Sequence, residues 1–567
     1  MTKAKNKNVL VVMVAILITC IAGFPMLARG IGGDLVDLTY HLLRIESVKE
    51  ALVSGNFPPR VNPLFLEGYG YGSSLFYPDL FLLFPALLNL VGIPPLISYK
   101  IFMFIVIFVA TLTTYYAMNL FCNNCEWALL GTGMLILSTF YLADINNRSG
   151  MSEMMACVFL PILMAGIYDY FAAEGKKVYL MGIAFVGMVL SHTIMTFIGL
   201  LITSLIFVGM LFVPEKRSLV FEKKRLSRLL LTAFVAVLSV SYYIFPMLEQ
   251  MVNDRFWFND PWAKIGNYTQ PFSTLFWPIG EFAYIAKFGV GIPVLMLLAS
   301  RIYLGKSKNR WANSLVCIGV LQFIAMTNII PWWMLQETPI NMIQFTYRFY
   351  PYALFMVICG MLIFLKEKAQ TGKIGKKFFV FLVLLTVACG IWENIYCYQC
   401  KDREIIDKEY LYTNTSKVGR GEWIPEGVSR LVYKGEAEAD VITEDETRIP
   451  FTNVDYAKYQ FDITGTKGSR FIVPLLYYKG YEAELLMENG QRKVLQVSKS
   501  QDGLVAIKAD GESNGVINVW YEGTIVQKIS NIISCLVVLV IVLLLIAYKI
   551  RMGKNEASIK KAKMEML

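Results

Sequence analysis

The chain has 567 residues, of which 56% are apolar and only 17% charged, against roughly 25% charged in an ordinary soluble protein. With a mean hydropathy of +0.51, that balance excludes a large soluble enzyme and leaves room for about a dozen membrane spans of roughly 20 residues each. The net charge of +10 sits in short clusters between apolar runs, the positive-inside signature of a polytopic membrane protein rather than a nucleic-acid surface.

In chain order, Lys3, Lys5 and Lys7 precede an apolar run over 9–27 whose length favours a retained anchor with its basic end in the cytoplasm. Further runs lie at 101–120, 127–143, 154–170, 178–190, 195–213, 229–248, 288–304, 314–331, 349–365, 378–392 and 532–548, which makes about twelve spans. The run over 80–91 is short and carries Pro85, so it suits an interfacial or re-entrant helix better than a span. Leaving it outside puts the basic clusters at 176–177, 216–228, 306–310, 366–377 and 549–563 inside, with both termini cytoplasmic.

That topology gives the outer side residues 28–98, the turns near 144–153 and His192, the loops 249–285 and 332–348, and the long stretch 397–528. Ionisable residues near the membrane boundary then gather on one face, and such charges are costly unless exposed or paired. Within the first outer segment the apolar period over 34–46 is helical. At about 100° per residue, Asp34, Asp37, His41 and Arg44 share an arc of about 80°, beside an apolar arc of Leu35, Leu38, Leu42 and Ile45. This predicts a helix lying along the membrane surface, its apolar side in the interface and its polar edge toward a cavity. The plainer alternative is a surface helix with salt bridges at helical spacing.

Downstream, Gly68-Tyr69-Gly70-Tyr71-Gly72 and Phe76-Tyr77-Pro78-Asp79 read either as a substrate rim or as a flexible connector. If Ser149 to Glu153 opens a helix, its free N–H groups and Arg148 would form an anion site. His192 interrupts a long apolar stretch at its outer turn, and Gln344 and Arg348 head another span. Arg148 and Arg348 are the candidate phosphate partners, although singly each is more often a snorkelling residue.

Residues 397–528 change character. Short alternating runs at 471–478, 483–488, 492–497, 503–508 and 515–521, separated by Gly-containing turns, predict a small antiparallel sandwich that serves as a binding or packing module. The expected organisation is therefore a transmembrane domain over 1–396, an extracytoplasmic β-rich domain over 397–528, and a final helix with a basic tail over 529–567.

The sequence holds no phosphate-binding Gly-rich loop, nucleophile elbow or metalloprotease helix motif. An outward-facing enzyme has no ATP supply, so group transfer there needs a donor activated beforehand, and a lipid phosphate-linked sugar meets that need. Such chemistry asks for one carboxylate base, offered by Asp34 or Asp37, and cations for the departing phosphate, offered by Arg148 or Arg348. Asp34 with Asp37 could also hold a divalent cation, though two carboxylates alone leave an octahedral site incomplete.

Taken together, Asp37-x3-His41-x2-Arg44-Ile45-Glu46, Gly55-Asn56-Phe57-Pro58, the Gly-Tyr-Gly-Tyr and Phe-Tyr-Pro-Asp runs, Arg148-x4-Glu153, Ser191-His192 and Gln344-Phe345-x2-Arg348-Phe349 resemble the bacterial YfhO-like family. Its members often carry the label 6-pyruvoyl-tetrahydropterin synthase-related membrane protein, yet two histidines cannot supply that enzyme's three-histidine zinc site and catalytic histidine. The family is similar to the GT-C glycosyltransferases, and the resemblance implies a GT-C-like helical fold. It also implies a polyprenyl-phosphate sugar donor and a catalytic acid in the first outer loop, for which Asp34 and Asp37 are the candidates.

The expected function is transfer of a sugar from a polyprenyl-phosphate carrier to a cell-wall polymer, lipid or protein at the outer face of a bacterial plasma membrane. His41, Arg44, Arg148, Glu153, His192, Gln344 and Arg348 would bind substrate. The alternative is a non-enzymatic transporter or flippase for lipid-linked saccharides using the same cavity. A sensor or scaffold would instead place function in 397–528.

Overall fold

The computed structural model describes residues 2–32, 35–281, 286–399, 403–466, 468–509 and 514–565, with the side chains of 2–6, 35, 36 and 553–565 outside that description. Among these residues, seven helices are long and apolar enough to cross a bilayer: Lys7–Leu27, Pro95–Cys122, Met151–Ala172, Thr193–Leu211, Thr346–Gln370, Lys376–Gln399 and Ile525–Met552. Two bent pairs raise this to nine if each counts as one span: Cys125–Ile136 with Thr139–Arg148, at 46°, and Lys223–Ser239 with Ser241–Asn253, at 73°. The other three of the twelve apolar runs fold as the shorter helices Tyr179–Val189, Ile292–Leu304 and Arg310–Ala325. Among the described residues, seven to nine of the twelve expected runs are thus full-length by length and composition and three are shorter, because hydropathy registers an apolar run and not where its helix stops. The helix ending at Leu304, for example, is closed by Gly305 in a positive-φ conformation that a side chain rarely adopts.

Local chemistry sets the helix ends. Asn124, His192 and Asn309 each accept a hydrogen bond from the backbone N–H three residues on, at 3.1, 3.2 and 3.3 Å, which satisfies an otherwise orphaned donor. Glycines let backbones close on one another. A Cβ at Gly319 would lie 2.7 Å from Ala353 O and one at Gly360 the same distance from Ala312 O, so Arg310–Ala325 and Tyr350–Gln370 pack through reciprocal small-residue contacts.

The helix Leu35–Val53 departs from expectation. Leu38, Leu42, Leu43 and Ile45 are fully buried, and so, within a few per cent, are His41, Arg44 and Glu46 on the polar edge. The apolar arc packs against the Leu83–Leu90 and Pro95–Cys122 helices rather than lying in a lipid interface. An apolar stripe marks a face to be covered, and periodicity alone does not distinguish lipid from protein as the cover.

Beside the helices, β1 (Gly280–Glu281) and β2 (Lys287–Phe288) form a two-stranded ladder. The larger sheet comprises β3 (Val441–Thr443), β4 (Arg448–Ile449), β5 (Thr452–Asp455), β6 (Lys458–Asp462), β7 (Arg470–Leu476), β8 (Tyr481–Met487), β9 (Arg492–Lys499), β10 (Leu504–Lys508) and β11 (Gly515–Tyr521). Its order is β4-β3-β7-β10-β9-β8-β11-β6-β5, with every pair antiparallel. The five expected strands match β7 to β11 within two residues at each end.

The expected sandwich is one continuous sheet curled into a half-barrel. Phe461 of β6 meets Phe471 of β7 at 5.7 Å although four strands separate them in the ladder. The register shift at Leu504/Val505 is the kind of irregularity that bends a strand.

The Gly-Tyr-Gly-Tyr run is the seam between helices and sheet, neither a rim nor a flexible connector. Tyr69 O accepts from Leu476 N at 2.9 Å, Tyr69 Oη donates to Glu438 O at 2.6 Å, and Tyr71 Oη accepts from Trp423 N at 3.2 Å. A Cβ at Gly72 would sit 2.6 Å from the Tyr478 ring, so glycine is what permits the approach.

Candidate active site

The helix Thr139–Ala143 continues into a π-helical turn, Asp144–Arg148, a form often found at functional positions. Ser149 then takes a left-handed conformation and Gly150 opens the helix Met151–Ala172. A Cβ at Gly150 would run into Asp144 Oδ1, so this tight reversal lets Asp144, Arg148 and Glu153 share one spot. Arg148 Nη1 lies 2.8 Å from Glu153 Oε2 and 3.3 Å from Asp144 Oδ1, and its Nε lies 3.5 Å from Asp37 Oδ2.

Glu153 also holds a second arginine. Arg348 donates from Nε to Glu153 Oε1 at 2.7 Å and from Nη1 to Ile343 O at 2.8 Å and Gln344 Oε1 at 3.0 Å. Gln344 sits at φ +61, the turn that swings its amide back onto Arg348. His192, capping Thr193–Leu211 through Nδ1, places Nε2 3.7 Å from Glu153 Oε1. Glu153 is 1% exposed, so it serves as the buried counter-charge for both guanidinium groups. The side chain of Asp37 is 32% exposed, which makes it the accessible carboxylate of the cluster.

The same end of the bundle carries His41 and Arg44. Arg44 is not on the cavity wall, contrary to its expected substrate contact. It donates to Asp79 Oδ1 from Nε at 2.9 Å and from Nη2 at 2.6 Å, and to Pro78 O at 2.7 Å. Tyr77 covers it at 4.4 Å, and Ser74 Oγ donates to the other oxygen of Asp79. Arg44 Nη1 lies 3.3 Å from His41 Nδ1; since arginine only donates, His41 keeps its proton on Nε2.

Both imidazoles are held neutral. Burial pulls His192 down to about 3, Arg348 and Arg148 adding to the effect and Glu153 opposing it. Burial, then Arg44 and Arg148, holds His41 well below the usual histidine range. Burial pushes the Tyr77 phenol up to about 12.

Asp37, His41, Arg148, Glu153, His192, Gln344 and Arg348 all line one cavity of about 640 Å³. Asp34 lies outside the described residues. No group of three or more potential metal ligands forms among the described residues. The cavity lining joins apolar side chains, among them Phe76, Ile194, Met247, Met251 and Met342, to the charged cluster.

Several wall residues escaped the sequence reading. Val418, Gly419, Glu422 and Trp423 come from the stretch read as a binding or packing module, and Phe258, Asn259, Asp260, Pro261, Lys264, Gln336, Glu337, Thr338, Asn341 and Met342 come from loops. The available signal was Gly419-Arg420-Gly421-Glu422-Trp423. Both its glycines adopt positive φ, and the turn presents an acid and an indole together. Burial pushes the Glu422 carboxyl above its usual range, and Trp423 stacks on Tyr77 at 5.5 Å.

No family model matches the chain. In sequence it is 22% identical over 346 residues to a protein of Lactococcus lactis subsp. cremoris (strain MG1363) described as an uncharacterized protein. That match covers 58% of this chain and 55% of the other, so the chain spans about half the length of the curated relative it matches. Among solved structures it is similar to the arabinofuranosyltransferase AftD from mycobacteria, with a TM-score of 0.43 and 13% identity, covering 68% of this chain and 26% of that one. A mutant form of the same enzyme gives a TM-score of 0.42 at 12% identity, covering 68% and 28%. Neither the relative nor these structures bear the YfhO-like name.

Proposed function

We propose that the chain is a membrane glycosyltransferase that moves a sugar from a polyprenyl-phosphate carrier to an acceptor at the outer face of the membrane. One observation carries the reading: Asp37, the partly exposed carboxylate of the cluster, shares one cavity with the partly buried Arg148 beside it, the buried Arg348 and a set of apolar side chains. An isoprenoid fits the apolar side chains, and the phosphate and sugar fit the charged cluster.

In this reading Asp37 is the general base. As the acceptor oxygen bonds to the anomeric carbon, its proton passes to the Asp37 carboxylate, and the anomeric C–O bond breaks with its electron pair leaving on the lipid phosphate. Arg148, 3.5 Å away, keeps Asp37 ionised and in place. Arg348 commits Nε and Nη1 to Glu153, Ile343 and Gln344, while its Nη2 meets no acceptor among the described residues and supplies the fork for the departing phosphate. Arg44 positions rather than binds. By locking Asp79 and Pro78 to the helix that carries Asp37 and His41, it fixes the place of the base in the cavity. Glu153 sets both guanidinium planes. Asp34 stays a candidate acid alongside Asp37, and Asp37 is taken as the base because it lines the cavity next to Arg148.

The test is transfer in proteoliposomes holding the full chain, a polyprenyl-phosphate hexose and a surface-glycan acceptor, followed by mass spectrometry of the product. Wild type should form product while Asp37→Asn should not, with donor binding kept. Movement of the intact donor across the bilayer with no cleavage would overturn the proposal in favour of the transporter.

A further inference from the structure

A second hollow of about 200 Å³ opens beside the main cavity, and Phe258, Asn259, Asp260, Pro261, Gln344 and Glu422 line both. It is smaller than the roughly 300–1,000 Å³ of a pocket for a drug-sized ligand and suits one sugar ring continuing a chain from the larger space. Its walls are held in place by backbone bonds. Trp257 N donates to Ile424 O at 2.9 Å and Phe258 N to Glu422 O at 2.8 Å, which stitches the loop after Ser241–Asn253 to the Gly419–Trp423 turn.

The cations of this annex are unusual in how they are held. The Arg430 guanidinium lies 4.0 Å over the Trp257 ring and that of Arg420 lies 4.7 Å over Trp262. Arg255 pairs with Glu426 at 3.3 Å, whereas among the described residues no carboxylate or carbonyl meets either stacked guanidinium. Stacking on an indole fixes the guanidinium plane and leaves its N–H edge ready for a two-point bond to a carboxylate or phosphate. Both arginines line this hollow the size of one sugar, together with Arg255 and the carboxylates Asp260, Glu422 and Glu426, and Glu422 also lines the main cavity with Asp37.

We infer that this annex is the acceptor subsite, and that the acceptor is an anionic glycan whose carboxylate or phosphate is gripped by Arg420 and Arg430. The inference rests on the transferase reading for the word acceptor. The terminal sugar then presents its hydroxyl to Asp37 in the main cavity while the acidic unit behind it occupies the annex.

The experiment uses the full-length protein in nanodiscs, titrated with an oligogalacturonate, a glycerol-phosphate oligomer of equal charge and a neutral malto-oligosaccharide of equal length. At least one anionic oligomer should bind about tenfold or more tighter than the neutral one, and which of the two prevails separates carboxylate from phosphate. The Arg420→Gln/Arg430→Gln double variant should lose the preference while keeping its melting temperature and its binding of the polyprenyl-phosphate sugar. The control Arg470→Gln/Arg492→Gln, on the sheet, should keep it. Neutral and anionic oligomers binding equally, or a preference that survives the double variant, overturns the inference even if the sugar is still transferred from the donor. An anion preference lost in the double variant, in a wild-type chain that never turns over donor, supports the annex as an anionic-glycan site and removes the transferase reading instead.

Discussion

Two buried arginines at the same end of the bundle, Arg44 and Arg348, solve one problem in different ways. Each is nearly inaccessible, at 1% and 3% exposure, and each holds a buried carboxylate. Arg44 spends its fork on Asp79 and Pro78 and is covered by Tyr77, so nothing in the cavity reaches it. Arg348 is held by Glu153, Ile343 and Gln344 along one side and lines the cavity with the other. Burying a guanidinium is costly unless its partners satisfy it. A closed fork is therefore a brace, and a fork with one open edge retains binding capacity.

The sharpest way to break that contrast is at Asp37, the exposed acid of the open cluster. Asp37→Asn should lower transfer by about 10²- to 10⁴-fold, the range for loss of a general base, with the melting temperature nearly unchanged. Turnover measured on a purified polyprenyl-phosphate sugar decides it; a variant with near-normal turnover would move the base elsewhere. At the brace, Asp79→Asn strands Arg44 without its counter-charge and should cost about 3–5 kcal/mol of stability. Detergent-solubilised protein should melt markedly lower, yet the fraction still folded should bind donor normally. A smaller effect is expected for Arg348→Lys, which keeps the charge and loses the fork. About a tenfold rise in the donor KM is the expected outcome; the matching Arg44→Lys should move the melting temperature and leave KM alone.

This contrast was half legible in the sequence. The helical arc of Asp37, His41 and Arg44 and the shared side of Arg148, Glu153, His192 and Arg348 follow from periodicity and the charge of the loops, and seven of the expected residues do line one cavity. That Arg44 turns away is set by Asp79, 35 residues on, and spacing along one helix carries no information about such a partner. Glu422 and Trp423 were missed for a related reason. Their stretch reads as an independent module because alternation reports strands, while the turn that crosses to the cavity has no period at all. The apolar runs were legible but the helix ends within them were not, and the sandwich became a half-barrel because strand patterning fixes faces but not how far a sheet curls.

The gentlest probe of the contrast is pH, because both clusters keep a histidine neutral. In the unfolded chain each imidazole takes up a proton below about 6.5. In the folded chain His192 stays neutral until about 3, and His41 is shifted in the same direction. As pH falls below about 6.5 the unfolded state therefore binds more protons, and stability drops by up to roughly 1.4 kcal/mol per pH unit for each histidine. Above that pH the two states bind alike and the effect is absent. Between about pH 5 and 6.5 ordinary carboxylates remain ionised in both states, while carboxyls raised by burial such as Glu50 and Glu422 act with the opposite sign, so the histidine share is read from the difference in slope between wild type and each histidine variant. His192→Gln should remove part of it and His41→Gln another part. Equal losses would mean that the cavity is as dry at His192, beside Glu153, as it is at His41, beside Arg44. A flatter slope from His41→Gln alone, with His192→Gln unchanged, would show that water reaches His192 beside Glu153, as a site that must admit a phosphate requires. An unchanged slope in both variants would place the neutral histidines outside the stability of the fold.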